Sequence, residues 1–313
     1  MMSNPSRATE FCLSGFPGSQ GLHHVLFAVF FLFYSVTIMG NTVIIVIICV
    51  DKHLHSPMYF FLGHLSAVEM LTTSIIPMML RRLLIHEMQT ISLTACVAQL
   101  FLYLALGTTE FALVGAMAVD RYMAVCNPLR YNTMMNSHTC LSVVTGSWVF
   151  GFPSEIWPVY TTFQFTFCKS NVLDHFYCDR GQLLKLSCDD TLFIEFVLFF
   201  MAVFIILGSL APTIVSYTYI ISTILKIPTA SGRRKAFSSC ASHFTFVIIG
   251  YGSCLFLYVK PKQTQAVEYN KTVSLLISML TPLLNPFIFT LRNDEGKQAP
   301  RDGVKSCCQL LKD

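Results

Sequence analysis

Charged side chains are scarce in this sequence. Only 12% of its 313 residues are Asp, Glu, Lys or Arg, whereas 54% are hydrophobic. Soluble domains average about 25% charged residues, so the composition excludes an ordinary globular enzyme. The formal net charge of +4 is small and scattered, and it gives no indication of a nucleic-acid partner.

Signatures of several other protein classes are also missing. The sequence contains neither HExxH nor GxSxG, which argues against an intramembrane enzyme. It shows no internal repeat, which argues against a transporter built from repeated halves. No cleavable signal peptide is visible, because the first apolar run begins near Leu22 and is too long for a signal core. We interpret that run as a signal anchor.

The sequence does contain a series of long apolar runs, and several have the roughly 20 residues that a helix needs to cross a membrane. Seven are visible, at about 23–50, 57–80, 93–120, 139–160, 193–225, 236–259 and 270–291. Seven crossings place the two termini on opposite sides. Lys and Arg modestly favour a cytoplasmic C-terminus, although Arg81 and Arg82 argue against it. The expected parts are an extracellular N-terminus (1–22), a transmembrane domain (23–291) and a cytoplasmic tail (292–313).

Four cysteines lie on the side of the N-terminus. Cys168, Cys178 and Cys188 share one loop, and Cys96 opens the third run. Thiols in an oxidising compartment predict disulfides, and four cysteines can pair in three ways. A metal site at His175, Cys178 and Asp179 is the alternative, but disulfides would use the same thiolates.

Four polar residues fall at similar depths in four different apolar runs. Glu110 lies roughly 16 Å from Arg121 by helical rise, and Asn41, Glu69 and Asn285 have comparable depths in their own runs. Acids inside a membrane are costly and indicate function. Two carboxylates at one depth would share a proton or hold a cation. Helix-packing hydrogen bonds with one acid protonated are the alternative.

The stretch from Met117 to Tyr131, MAVDRYMAVCNPLRY, carries Asp120-Arg121-Tyr122 at the end of the third run. Together with KAFSSCASH at 235–243 and PLLNPFIFTLRN at 282–293, it resembles the olfactory receptors, a branch of the rhodopsin-like G protein–coupled receptors. The resemblance covers nearly the whole chain. It implies an all-α membrane protein, a seven-transmembrane helix bundle with a short C-terminal amphipathic helix.

The resemblance also implies a function. The protein would bind a small volatile odorant in the bundle and activate a stimulatory G protein to raise cAMP, with the lipid bilayer as its third partner. An enzyme is not expected. The alternative is a membrane transporter or channel with an ion site at Glu69 and Glu110.

The expected ligand pocket lies between the third, fifth and sixth runs. Their facing positions are apolar with a few hydroxyls, as in small-ligand sites and in ordinary helix interfaces alike. No Asp or Lys lies on these faces, which favours a small neutral volatile over an amine or an acid. The expected lining residues are Tyr103, Leu104, Gly107, Thr108, Met201, Ala202, Ile205, Ile206, Tyr251, Cys254, Leu255 and Tyr258.

The resemblance assigns a switch to the opposite end of the bundle. Asp120 would hold Arg121 at rest and release it to a G protein when the sixth helix moves outward. The other expected members of the switch are Tyr122, Tyr217, Asn285, Pro286 and Phe289. Phe289 stands where most relatives have tyrosine. Ser242 and His243 are expected at the membrane surface, without a ligand.

The resemblance further selects two disulfides, Cys96–Cys178 and Cys168–Cys188, from the three pairings. It implies a sodium ion among Glu69, Glu110 and Asn285, and no other cofactor is expected.

Overall fold

The computed structural model describes residues 10–14, 20–73, 76–77, 80, 89–168, 170–258, 281–283 and 285–286, without the side chains of 53, 89, 235, 239, 242 and 253–258. Within these ranges most of the chain is helical. In order, the elements are β1 (Glu10–Leu13), α1 (Gln20–Val50), a 3-10 turn (Lys52–Leu54), α2 (Pro57–Thr72), β2 (Gln89–Ser92), α3 (Leu93–Cys126), α4 (Pro128–Met134), α5 (Ser137–Thr162), β3 (Val172–Leu173), α6 (Arg180–Leu186), α7 (Leu192–Leu225) and α8 (Ala230–Tyr258).

Several helices begin at residues that suit a helix start. The side chains of Ser92 and Asn136 accept a backbone N–H from the first turns of α3 and α5, at 3.3 and 2.9 Å. Such caps satisfy a donor that has no partner within the helix. α2 and α4 begin at Pro57 and Pro128, where the missing proline N–H costs no helical hydrogen bond.

Three helices of the described residues are long and apolar enough to cross a membrane: α1, α3 and α7. They contain 31, 34 and 34 residues, more than the roughly 20 that a crossing requires. α1 and α7 expose many large apolar side chains, including Phe31 at 53% and Phe204 at 71%. A patch of this kind is unfavourable in water and favourable against lipid tails. The exposed faces therefore indicate a membrane protein.

The centre of the bundle is α3, which packs against α2, α5, α7 and α8. The contact with α5 is especially close. A Cβ atom added to Gly151 would lie 2.8 Å from the carbonyl oxygen of Ala105 and would overlap the hydroxyl of Thr109. Only glycine allows this approach, which brings the next turn of α5 against the same part of α3.

The predicted apolar runs correspond to helices with some changes at their ends. α3 continues beyond 120 to Cys126, and α8 begins at Ala230 rather than at 236. The positions of the apolar runs did not reveal these helix ends, because the ends contain polar residues and lie outside the apolar segments. The seventh run is described only at 281–283 and 285–286, which are helical. The predicted tail helix at 292–313 lies outside the described residues.

A small sheet that the sequence analysis did not predict lies at the end of the bundle where α3 begins. β1 pairs antiparallel with β2 and parallel with β3, so the strand order is β2-β1-β3. The described residues are otherwise mostly helical, so this sheet is a small addition to the expected all-α architecture. Strands of four, four and two residues are too short to show an alternating pattern, and their partners are distant in the sequence.

Two disulfides hold the segment between α5 and α7 at this end, which we call the sheet end. Cys96 of α3 is bonded to Cys178, with Cα atoms 5.5 Å apart, and Cys168 is bonded to Cys188, with Cα atoms 5.9 Å apart. Both pairs are those that the resemblance implies. Since Cys178 precedes α6 by two residues, the first bond fixes the start of α6 beside α3.

Candidate functional site

A cavity of about 290 Å³ opens within the bundle towards the sheet end. Its walls come from α3, α5, α6, α7 and α8, with Thr72 of α2 and the segment at Thr281 and Pro282. Ligand cavities commonly range over roughly 300–1,000 Å³, so this one suits a small molecule. Nine of the twelve predicted lining positions border it: Tyr103, Leu104, Gly107, Thr108, Met201, Ala202, Ile205, Ile206 and Tyr251. The side chains of Cys254, Leu255 and Tyr258 lie outside the described residues.

The cavity wall is more polar than the sequence analysis expected. Glu155 of α5 and Arg180 of α6 both border it, as does Glu110 of α3. Arg180 Nη2 donates to Glu155 Oε2 at 2.7 Å, and the Thr108 hydroxyl donates to Glu155 Oε1 at 3.5 Å. The prediction that no Asp or Lys lies on the lining faces considered only the third, fifth and sixth runs, and it placed Glu110 of the third run in the deeper polar group rather than at the cavity. Glu155 lies within the fourth run, and an acid inside an apolar run was the signal that could have revealed it.

A second group of polar residues lies deeper in the bundle. Asn41, Glu69 and Asn285 are completely buried, and Glu69 is close enough to both amides and to Glu110 to interact electrostatically. The Asn41 amide donates to the carbonyl oxygens of Thr37 and Pro282, at 3.1 and 3.2 Å. The close approach of α1 to the last segment makes this possible, since a Cβ at Gly40 would lie 2.8 Å from Pro286.

Several oxygens in this group have no hydrogen-bond partner among the described residues. They are both carboxylate oxygens of Glu69, Oδ1 of Asn41, Oδ1 of Asn285 and the hydroxyl of Ser66. Buried polar atoms without partners are costly, and carboxylate and amide oxygens are the ligands that hard cations prefer. The donor set therefore fits a cation or a shared proton.

At the far end of α3 the structure shows a closed ion pair. Arg121 Nη2 and Nε donate to Asp120 Oδ2 at 2.5 and 3.1 Å, and the Tyr131 hydroxyl donates to Asp120 Oδ1 at 2.8 Å. Asp120 is fully buried and Arg121 nearly so. Burial, and then the charge of Asp120, raise the pKa of Tyr131, so its phenol stays protonated and donates. No role was predicted for Tyr131.

A hydrogen-bonded group beside this pair joins three helices. The Tyr217 hydroxyl of α7 lies 2.7 Å from Nδ1 of His243 in α8, and His243 Nε2 lies 3.2 Å from the Val114 carbonyl oxygen of α3. His243, expected near the cytoplasmic membrane surface, is buried between helices, with only 1% of the residue exposed. Because α8 starts at Ala230, His243 lies roughly 20 Å along the helix from its start.

Some of the remaining predicted site residues are described by the structure and others are not. The ring of Tyr122 lies 5.7 Å from that of Tyr219, and Pro286 is buried beside Gly40. Phe289 and the side chain of Ser242 lie outside the described residues. A metal site at His175, Cys178 and Asp179 is contradicted, because Cys178 forms a disulfide and the Asp179 carboxylate accepts the Gln182 backbone N–H at 3.0 Å.

These features define a helical membrane protein with a cavity near one end of its central helix and a buried ion pair near the other. Comparison with known proteins agrees. The family described as olfactory receptor matches residues 30–302. Human olfactory receptor 9A4 is 72% identical over 313 residues, and human olfactory receptor 9A2 is 74% identical over 318 residues, with both chains fully covered in each case. Olfactory receptor 6E1 of Mus musculus is 45% identical over 305 residues, or 97% of each chain.

The chain belongs to the olfactory receptor family. Olfactory receptors are rhodopsin-like G protein–coupled receptors. The protein is therefore a membrane receptor with an odorant ligand and a G protein partner, and it is not an enzyme.

Proposed function

We propose that this receptor binds a small neutral volatile in the cavity and activates a stimulatory G protein, which raises cAMP. The observation that carries the proposal is the cavity itself, because it is of ligand size and is bordered by α8, the helix that also reaches Arg121's end of the bundle. A ligand that contacts α8 can therefore affect both the cavity and the Arg121 end of the bundle.

The proposed coupling runs along α8. Phe246, Val247, Gly250 and Tyr251 border the cavity, and His243, one turn before them, bonds to Tyr217 and to α3. A ligand that binds more tightly when α8 has moved outward would shift the receptor towards that state. The movement would break the His243 contacts and give the G protein access to Arg121.

The proposal includes the topology. We propose seven membrane crossings, with the sheet end outside the cell and the Arg121 end in the cytoplasm. The two disulfides support this orientation, since disulfides persist in oxidising compartments. It places the N-terminus outside and the C-terminus inside.

We also propose that the Glu69 group, with Glu110 and Asn285, holds a sodium ion or a shared proton. The unpaired buried oxygens of this group support the proposal. When bound, the ion would neutralise the acids, and Asn41 and Asn285 would orient their oxygens towards it.

The experiment is a cAMP assay of cells that express the chain, against a panel of small volatiles. At least one neutral volatile should raise cAMP. Gly107→Phe should weaken that response strongly, because Gly107 borders the cavity and open space surrounds its Cβ position.

Gly146→Phe is the matched control. Open space also surrounds the Cβ position of Gly146, but this residue is exposed on α5 and does not border the cavity. Its response should resemble that of the unmodified receptor. A receptor that reaches the cell surface and responds to no volatile, or equal losses in both variants, would contradict the proposal.

A further inference from the structure

Arg180 occupies an unusual place in the cavity wall. It opens α6 two residues after Cys178, so the Cys96–Cys178 bond holds it over α3. Among the described residues that border the cavity it is the only cation, whereas Glu110 and Glu155 are acids. Only 18% of the Arg180 side chain and 7% of the Glu155 side chain are exposed. Most of the pair is therefore shielded from solvent.

The guanidinium of Arg180 has unused hydrogen-bonding capacity. One N–H donates to Glu155 at 2.7 Å, and no other hydrogen bond of this side chain exists among the described residues. Its Nε–H is buried and has no partner in the described part of the chain. A guanidinium has five N–H donors in a rigid fork, and a shielded donor without an acceptor is costly. A ligand that brings an acceptor to this fork would remove part of that cost.

Glu155 holds the fork in place from the other side. One of its oxygens accepts from Arg180 and the other accepts from Thr108, so the carboxylate is fixed between α6 and α3. Gly151, one turn earlier on α5, sets the helix spacing that permits the Thr108 contact. The arginine is thus oriented before a ligand arrives.

We propose that Arg180, positioned by Glu155, selects ligands with an uncharged carbonyl oxygen, such as ketones and esters, over hydrocarbons and carboxylates. This rests on the proposed function, since it assumes that the cavity is the ligand site. A carbonyl oxygen accepts from the guanidinium without adding charge. A carboxylate would add a second negative charge beside Glu155, close to Glu110 and opposite a single cation, and like charges at that range repel.

A purely structural ion pair would behave differently. A tether between α5 and α6 would affect all ligands alike when it is lost, because it acts on the shape of the cavity. A donor to the ligand affects only ligands that carry an acceptor. Matched ligand pairs therefore separate the two roles.

The test uses the full-length receptor and two pairs of probes. The first pair is a straight-chain methyl ketone and the alkene in which a methylene group replaces the carbonyl oxygen. The second pair is a straight-chain carboxylic acid and its methyl ester. Binding is measured as thermal stabilisation of the detergent-solubilised protein, and activation is measured separately as cAMP in cells.

The unmodified receptor should bind the ketone roughly 10-fold or more tightly than the alkene, the factor expected for a hydrogen bond from a charged donor. Arg180→Met should reduce ketone binding to the level of the alkene and leave alkene binding unchanged. Glu155→Gln should strengthen binding of the carboxylic acid relative to its ester, because Arg180 then lacks its counter-charge. Lys185→Met on α6 and Glu195→Gln on α7 are the controls and should keep the original preferences.

Equal losses for ketone and alkene in Arg180→Met would overturn the inference, as would a receptor that prefers the acid to its ester. If Arg180→Met fails to fold, the acid-to-ester preference of Glu155→Gln tests the inference instead. A misfolded protein cannot gain affinity for the acid, so a gain shows that the variant is folded. No gain would overturn the inference.

The two readouts separate this inference from the proposed function. Ketone-selective stabilisation without a cAMP response would reject G protein coupling and support the role of Arg180. A cAMP response of equal potency to ketone and alkene would reject the role of Arg180 and support the receptor function. A surface-expressed receptor that neither binds nor responds would overturn both.

Discussion

At the scale of single residues, the buried Asp120 carboxylate is the contact that holds Arg121. It accepts two hydrogen bonds from Arg121 and one from Tyr131, so both of its oxygens are occupied. A buried ion pair with this many hydrogen bonds is strongly weakened when one partner is removed. The position of Arg121 in this structure thus depends on a neighbour in sequence and on a tyrosine of α4.

Changes at this pair should have opposite effects on signalling. Asp120→Asn removes the charge that holds Arg121, so basal cAMP should rise. Arg121→Ala removes the group proposed to meet the G protein, so the odorant-driven rise in cAMP should be lost at normal surface expression. The measurement is cAMP normalised to surface receptor. Arg130→Ala, at an exposed position of α4, is the control. Normal signalling from Arg121→Ala would contradict the assignment of Arg121 to the G protein switch.

The contact between Tyr217 and His243 should contribute to stability. Tyr217→Phe removes the hydroxyl and leaves a nitrogen of buried His243 without its partner, a loss of about 1–3 kcal/mol. The melting temperature of the detergent-solubilised receptor should therefore fall. Tyr219→Phe removes a hydroxyl from a residue that is 56% exposed and should have little effect. Equal shifts in the two variants would show that the hydrogen bond contributes nothing specific.

At the scale of elements, the small sheet connects the beginning of the chain to the sheet end of the bundle. Phe11 and Leu13 of β1 are 0% and 1% exposed and pack in a core that also contains Leu100, Val159 and Leu183. β1 thereby contacts α3, α5 and α6 through one cluster. Burial of a phenylalanine contributes about 1.5–3 kcal/mol relative to exposure.

Loss of this contact should impair folding. Phe11→Ser places a hydroxyl in an apolar cluster and leaves a cavity, which costs about 3–5 kcal/mol for a phenylalanine truncated to alanine. We expect a large reduction of mature receptor at the cell surface, measured by flow cytometry with an epitope tag. Glu10→Ser changes an exposed residue of the same strand and is the matched control. Surface levels of Phe11→Ser equal to those of Glu10→Ser would show that β1 is dispensable.

At the scale of the whole molecule, the Glu69 group brings together four separate parts of the chain. Asn41 comes from α1, Glu69 from α2, Glu110 from α3 and Asn285 from the last described segment. A change in ion occupancy or protonation here would act on four parts of the bundle together. Glu110, a member of the group, also borders the cavity.

If the two acids share an ion or a proton, they should act as a unit. Glu69→Gln and Glu110→Gln should each change basal cAMP and its sensitivity to sodium, and the double variant should differ little from either single one. Contacting residues show such non-additivity, whereas independent sites add. Sodium sensitivity is measured in isolated membranes at varied sodium and constant ionic strength. Additive effects in the double variant would argue that the acids do not interact.

Much of the architecture followed from local sequence. Apolar runs predicted helices in six regions, since an apolar stretch long enough to cross a membrane is recognisable from neighbouring residues alone. The Asp120–Arg121 contact was also expected, and it joins adjacent residues. Helical spacing placed the nine predicted cavity positions on shared faces of their own helices, and the family resemblance indicated that those faces meet.

Only the tertiary structure decided the contacts between residues that are distant in the sequence. Arg180 and Glu155 are 25 positions apart, and Tyr217 and His243 are 26 apart. The sheet joins Glu10 to Ser92 and Leu13 to Leu173. No local pattern encodes such pairs, because their geometry depends on helix packing, on the close approach at Gly151 and on the disulfide at Cys178. The sequence by itself thus determined the family, the helices and the ion pair within α3, while packing decided the charge that lines the cavity.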